Sequence, residues 1–283
     1  MDVILSIFPG IDLLGRGFEA EGFCVVRGPD PIWGGDIRDF HVPPGIFRGV
    51  IGGPPCQDFS SARRTEPTGE GIEMQGHYAR IVTQAAPEWF VMENVPRVPD
   101  LHIDGYTVQR FNLNARECGG LQYRLRCFQF GYRSGNPLVI ERSEPQGKAQ
   151  RCCMATEGRR PGRRSWEDFC ALQGLETPLE LPGLSVEASY RAVGNGVPVF
   201  MARVIARAVR LRNVIKTPRL CVCGCARTVR DGQTMATPAC RKRMQRRRDA
   251  AGNTSTWSVT GDRTVVTGPG LVTTGPSQED PTL

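Results

Sequence analysis

Phe47-Arg48-Gly49-Val50-Ile51-Gly52-Gly53-Pro54-Pro55-Cys56-Gln57-Asp58-Phe59-Ser60 decides how this chain is read. Residues 47–51 form a short apolar run, the pattern of a strand buried on both faces, and Gly52-Gly53-Pro54-Pro55 closes it. The two prolines fix the backbone just ahead of Cys56, so a strand end presents a thiol rigidly at the carboxyl edge of a sheet. A free thiol titrates near ~8.5 and gains nucleophilicity when a cation or helix terminus favours the thiolate. The ordinary fate of a lone cysteine is burial as a small inert side chain. The Pro-Pro-Cys presentation argues against that fate here.

The flanking sequence supplies the rest of the sheet. Upstream, residues 3–8 are an apolar run ending at Pro9-Gly10, residues 11–21 have helical spacing (Ile11, Leu14, Phe18), and 23–27 form a second strand. Downstream, the pattern predicts a helix over 75–86 and strands over 89–92, 106–113 and 126–132. A helix over 165–173 takes Ser165 as its cap, and a long amphipathic helix over 197–212 starts through Gly194-Asn195-Gly196-Val197-Pro198. Strands alternating with helices specify a doubly wound, parallel α/β sheet with helices on both faces.

In such a sheet the carboxyl ends of the strands share one edge, where nucleotide-like cofactors sit. Phe8-Pro9-Gly10-Ile11-Asp12 and Gly35-Asp36-Ile37 are turns suited to that edge, although either alone is an ordinary turn or cap. Met92-Glu93-Asn94-Val95 ends the strand after the Cys56 loop and brings Glu93 within reach of the same pocket. A thiol beside a carboxyl group suits attack on a ring that becomes electrophilic when protonated or hydrogen-bonded. Cytosine is such a ring, with attack at C6 assisted at N3, and it must leave the duplex stack to be reached.

Composition sets limits. The chain has 283 residues, 40% apolar and 23% charged, enough for one sizeable core plus an appendage. No stretch approaches the ~20 apolar residues of a membrane span, and the N-terminus lacks the basic region of a secretory signal. Eleven cysteines, an odd and scattered set, fit reduced thiols in an intracellular protein better than a disulfide framework. The net charge of +7 is concentrated: 219–250 holds nine basic residues and two acids, and 142–164 holds seven and two. Such patches suit a polyanion, or are simply solvated surface.

The motifs and their order resemble the C5-cytosine-specific DNA methyltransferase family. The resemblance rests on Phe8-x-Gly10, Gly35-Asp36-Ile37, Pro54-Pro55-Cys56-Gln57-x-Phe59-Ser60, Glu93-Asn94-Val95, Gln122-Tyr123-Arg124-Leu125-Arg126, Leu172-Gln173-Gly174 and Gly194-Asn195-Gly196-Val197-Pro198, and spans about residues 1–212. It implies a Rossmann-like domain that binds S-adenosyl-L-methionine. It gives Cys56 the attack on C6, Glu93 the contact to N3, and Arg124 and Arg126 supporting roles. Phe8, Gly10, Ile11, Asp12, Asp36, Ile37, Pro55, Asn195 and Val197 would line the cofactor site. The implied partner is double-stranded DNA, with no membrane, in the cytoplasm of a prokaryotic or phage-infected cell. A monomer and a companion restriction endonuclease fit the same picture. The same fold also serves transfer-RNA cytosine methylation, and a DNA-binding protein on an inactive scaffold is the rival from another class; the intact Cys56, Glu93, Arg124 and Arg126 set argues against the latter.

The chain departs from the family in three places. Asp12-Leu13 stands where the family has two glycines, and an inward Asp12 would repel the cofactor's carboxylate. The acid after the second strand is missing, leaving Asp30 as a candidate ribose partner. The target-recognition region is very short, 127–164, with Arg151, Arg159, Arg160, Arg163 and Arg164 for DNA. The expected organisation is a catalytic and cofactor-binding core at 1–126, this reduced recognition region, completing helices at 165–217, a basic module at 219–250 and a disordered tail at 251–283. In the module, Cys221, Cys223, Cys225 and Cys240 could close a zinc-finger-like Zn2+ site, since so few large apolar residues would otherwise leave it without a core.

Overall fold

The computed structural model describes residues 2–61, 63–212, 220–230 and 233–252. Six strands form one sheet: β1 (Val3–Ile7), β2 (Cys24–Arg27), β3 (Gly49–Gly52), β4 (Trp89–Asn94), β5 (Thr107–Asn114) and β6 (Leu125–Tyr132), in the order β2-β1-β3-β4-β6-β5. β1 to β4 are parallel, whereas β6 runs antiparallel to both β4 and β5. This corrects the expected all-parallel sheet. Residues 115–124 joining β5 to β6 are too few for a parallel crossover, which needs a dozen or more, so the chain turns back on itself.

The helices are α1 (Leu13–Ala20), α2 (Glu70–Ala85), α3 (Trp166–Leu172), α4 (Val186–Asn195), α5 (Val199–Leu211) and α6 (Pro238–Gly252). Alternate strand residues point to opposite faces. Ile4, Ile51, Trp89 and Val91 pack with Phe18 of α1 and with Met201, Ile205 and Val209 of α5. Their neighbours Leu5, Val50, Phe90 and Met92 pack with Met74, Tyr78 and Ile81 of α2. Each large apolar side chain so buried contributes about 2 kcal/mol. A third cluster joins Phe169 of α3 and Tyr190 and Val193 of α4 to Ile11 and Leu13, which seats the late helices on the end of the loop after β1 and the start of α1.

Several boundaries differ from those read in the sequence. α4 was not foreseen; Ser185 caps it by accepting from the Ala188 amide, and Asn195 ends it. Residues 127–132 of the expected recognition region belong to β6. Ala251 and Gly252 close α6, and the remainder of the expected disordered tail, like Arg219, lies outside the described residues. Residues 1–242 form one compact unit that contains all four module cysteines, and a second unit starts at Arg243. Among the described residues one stretch, Val186–Leu211, has the length and apolar character of a membrane span, but it is α4 and α5 broken at Gly196-Val197-Pro198 and is 61% buried in protein.

Candidate active site

Cys56 follows β3 and opens a short 3-10 turn, Gln57–Phe59. Two polar anchors fix this loop. The Asn94 amide at the end of β4 donates to the Pro54 carbonyl at 3.0 Å, tying the thiol loop to the neighbouring strand. Asp58 accepts from the Gly71 and Thr68 amides at 2.9 and 3.0 Å and pairs with Arg63, pinning the far side. Neither anchor was singled out in the sequence. Asn94 stood in the motif, but its partner lies forty residues away.

Glu93 is buried beside this loop at the end of β4. Gly53 makes room for it, since a Cβ there would stand 3.0 Å from Glu93 Oε2. Arg126 on β6 approaches Glu93 Oε1 through Nε at 3.0 Å. Burial raises the Glu93 carboxyl above its ordinary range, opposed first by Arg126 and then by Arg124. Burial, and next the charge of Glu93, raise the Cys56 thiol, again opposed by Arg126 and Arg124. The free thiol is thus held largely protonated, and the carboxyl is biased toward the form that can donate.

The two arginines divide the work. Only Arg126 pairs with Glu93. Arg124 is buried, and its guanidinium is spent on carbonyls: Nη1 donates to Cys153 at 3.0 Å, and Nη2 to Gly194 and Gly196 at 3.0 Å each. Two buried glutamines extend this clasp. Gln122 Nε2 donates to Gln173 Oε1 at 2.7 Å, and Gln173 Nε2 donates to the Val193 and Gly196 carbonyls. The last turn of α4 and Gly196 are therefore tied to residues 122–124 by side-chain donors, directly through Arg124 and by way of Gln173 from Gln122.

All thirteen residues read from the sequence as catalytic or cofactor-binding line one cavity of about 540 Å3. Phe8, Ile11, Ile37, Pro55 and Val197 make apolar walls, and nothing lies within 4 Å of where a Cβ on Gly10 would stand. A cavity of this size and mixed lining fits a nucleoside-sized cofactor, and acids on its wall suit the positive sulfonium of S-adenosyl-L-methionine. Asp36 is exposed and already accepts from the Arg38 amide at 2.9 Å.

The two doubtful acids are engaged with protein. Asp12 has φ 56°, the left-handed region where glycine is usual and Asp is among the better-tolerated alternatives. Its buried carboxylate caps α1 by accepting from the Gly15 amide and also accepts from Ser6 Oγ, both at 2.9 Å, with Arg27 Nε 2.9 Å from the other oxygen. The feared repulsion is met by turning the charge onto the helix terminus and Arg27. Asp30 accepts from the Gly10 and Ile32 amides at 2.9 and 3.0 Å, and so holds the glycine turn in place.

Among the recognition arginines, Arg164 is internal: it pairs with Glu157 and donates to the Arg151 and Cys152 carbonyls. Arg151, Arg160 and Arg163 are exposed, as is Arg159, which pairs with Glu187. The module's four cysteines converge, all buried, with every sulfur within 4.8 Å of the others.

Fold and cavity define an α/β protein that presents a thiol and a carboxyl group in one cavity at the edge of its sheet. Its fold is that of methyltransferases: it matches the Entamoeba histolytica methyltransferase EhMeth with TM-score 0.57 at 11% identity, over 76% of this chain and 99% of that one. The model of the C-5 cytosine-specific DNA methylase family matches residues 33–161. The Type II methyltransferase M.HindV of Haemophilus influenzae is 38% identical, over 72% of this chain and 95% of that protein. M.HgiDI of Herpetosiphon aurantiacus is 31% identical, over 47% of this chain and 52% of that one, so this chain spans about half the length of that relative. The chain belongs to the C-5 cytosine-specific DNA methylase family. The alignment with M.HindV runs over 289 positions yet takes in only 72% of this chain, so the relative carries sequence that this chain lacks.

Proposed function

We propose that the chain is a DNA (cytosine-5-)-methyltransferase acting on a cytosine flipped out of duplex DNA. The observation that carries this is the meeting of Cys56, Glu93 and Arg126 on one cavity. Cys56 Sγ gives its proton to water and adds to C6, forming an S–C6 bond while the C5=C6 electrons move toward C5 and N3. Glu93, biased by burial toward its protonated form, donates at N3 and stabilises that charge, and Arg126 fixes the carboxyl in place. S-adenosyl-L-methionine, when bound, supplies the methyl group for C5. Water then takes the C5 proton, the C5=C6 double bond re-forms as the S–C6 bond breaks, and Cys56 leaves as a thiolate that is reprotonated from solvent. Arg124 acts as a positioning residue for the wall carrying Asn195 and Val197. The exposed arginines of 133–164 and α6 provide phosphate contacts, and the four buried thiols hold Zn2+.

Bisulfite sequencing of DNA from cells producing the chain tests the activity. Protected cytosines at a defined sequence are expected with the wild type and none with Cys56→Ala. Methylation confined to transfer RNA, or protection that persists in Cys56→Ala, would overturn the proposal.

A further inference from the structure

The four thiols sit on a small knuckle. Leu220 and Thr228 bridge as a minimal hairpin, and Cys221-Val222-Cys223-Gly224-Cys225 forms its tip. Cys240 reaches the tip from the first turn of α6. The sulfurs of Cys221 and Cys223 are 3.4 Å apart, and those of Cys225 and Cys240 are 3.7 Å apart. These separations are too long for disulfides. They match a tetrahedron around zinc, whose Zn–S bonds of about 2.3 Å give edges of about 3.8 Å. All four cysteines are 1–3% exposed, so the site is closed, as structural zinc sites are. The Ala236 amide donates to Cys221 Sγ at 3.3 Å, and Thr237 Oγ1 lies 3.1 Å from Cys240 Sγ, contacts that steady thiolate ligands.

The knuckle is built into the catalytic unit. Among the described residues β5 is an edge strand with no partner strand on its outer side, and edges of this kind are usually covered. Here the cover is the knuckle and residues 138–142. Arg142 Nη2 donates to the Asn112 carbonyl of β5 and to the Cys225 carbonyl, both at 2.8 Å. Arg142 Nη1 pairs with Glu117 at 2.6 Å, and Arg227 pairs with the other Glu117 oxygen. The Ile140 amide donates to the Ala226 carbonyl, and Ala226 is buried in the main core. Four thiolates around Zn2+ carry net charge −2, which complements Arg142 and Arg227.

We propose that a Zn(Cys)4 centre formed by Cys221, Cys223, Cys225 and Cys240 fastens the knuckle over β5, so that metal binding completes the fold of the catalytic unit. This rests on the four thiols being the zinc ligands. Metal analysis of the purified full chain should find one zinc per chain, with X-ray absorption showing four sulfur ligands. Cys225→Ser should lose the metal. Because that variant could misfold, the wild type stripped with chelator should also take up one Co2+ and show the spectrum of a tetrahedral thiolate site. Stripping should lower the melting temperature of the whole unit, and zinc should restore it. Metal-free protein, or zinc retained in both Cys225→Ser and Cys240→Ser, would overturn the zinc site. Zinc that is present and removable without moving the main melting transition would overturn the fastening role alone. None of these measurements depends on methyl transfer, so failure of the proposed activity would be separately visible.

Discussion

Arg124→Lys separates the two arginines of the Gln-x-Arg-x-Arg segment. Arg124 serves two places at once, the Cys153 carbonyl through Nη1 and the Gly194 and Gly196 carbonyls through Nη2. A lysine has one nitrogen and can hold one of these places. Keeping the Cys153 contact gives up the two Nη2 bonds, leaving the Gly194 carbonyl without this donor and Gly196 with Gln173 alone; hydrogen bonds from charged donors are worth about 1.5–3 kcal/mol each, so about 3 kcal/mol is lost. For a unit of this size that lowers the melting temperature by about 10 °C. The freed segment carries Asn195 and Val197, so about half of that energy felt at the cofactor wall raises the KM for S-adenosyl-L-methionine about tenfold. The assay is a thermal melt beside steady-state methyl transfer at varied cofactor concentration. Arg126→Lys is the control: it keeps a cation beside Glu93 and should lower kcat with little change in cofactor KM. Wild-type melting and wild-type cofactor KM in Arg124→Lys would refute the clasp.

Two further substitutions test the site and the packing beneath it. Glu93 raises the Cys56 thiol and Arg126 lowers it, so Glu93→Gln should move the pH midpoint of Cys56 alkylation down and Arg126→Gln should move it up; peptide mass spectrometry follows the thiol, and shifts of the same sign would contradict the electrostatic account. Gly49→Ala places a Cβ 2.4 Å from the Trp89 ring between two central strands, which should cost about 1–3 kcal/mol and lower the melting temperature, whereas an unchanged melt would show that the ring can yield.

The central strands and the placing of Cys56 and Glu93 on one cavity were legible because both rest on local pattern. Apolar runs closed by Gly and Pro mark strand ends, and parallel order brings those ends to one edge. What was not legible depends on partners distant in sequence. Arg124 and Arg126 look alike two positions apart, and only the placement of Gly194–Gly196 makes one a clasp and the other a partner of Glu93. Asp12 looked like a hazard to the cofactor because the sequence shows its charge but not the helix terminus, Ser6 and Arg27 that receive it. The reversal at β6 was hidden because an antiparallel strand buried on both faces has the same apolar run as a parallel one. The Cys/Arg-rich segment looked like a separate bead; Arg227 and Glu117, 110 residues apart, join its cysteine knuckle to the sheet.

On the proposed function residues 133–164 form the recognition stretch, and a stretch so short would leave the rest of the chain to supply most of the phosphate contacts. With Arg164 spent internally and Arg159 paired to Glu187, residues 133–164 offer few arginines to DNA. Proteins that grip duplex DNA commonly neutralise about 6–10 phosphates, and the logarithm of affinity falls with that of salt at about 0.9 per phosphate. α6 carries Arg241, Lys242, Arg243, Arg246, Arg247 and Arg248 on an exposed helix with few apolar residues, which suits phosphate contact better than packing. Deleting the helix would also remove Cys240, so the sharper perturbation is Arg246→Ala with Arg248→Ala, which leaves the four thiols in place. The double variant should reduce the salt slope of DNA binding by about 2 and weaken affinity for all sequences alike, while the choice of methylated site stays unchanged. Arg151→Ala with Arg160→Ala, on the recognition stretch, should by contrast alter which cytosine is modified. An unchanged salt slope in the α6 variant would place the missing phosphate contacts elsewhere, and a changed site in that variant would mean the helix reads bases.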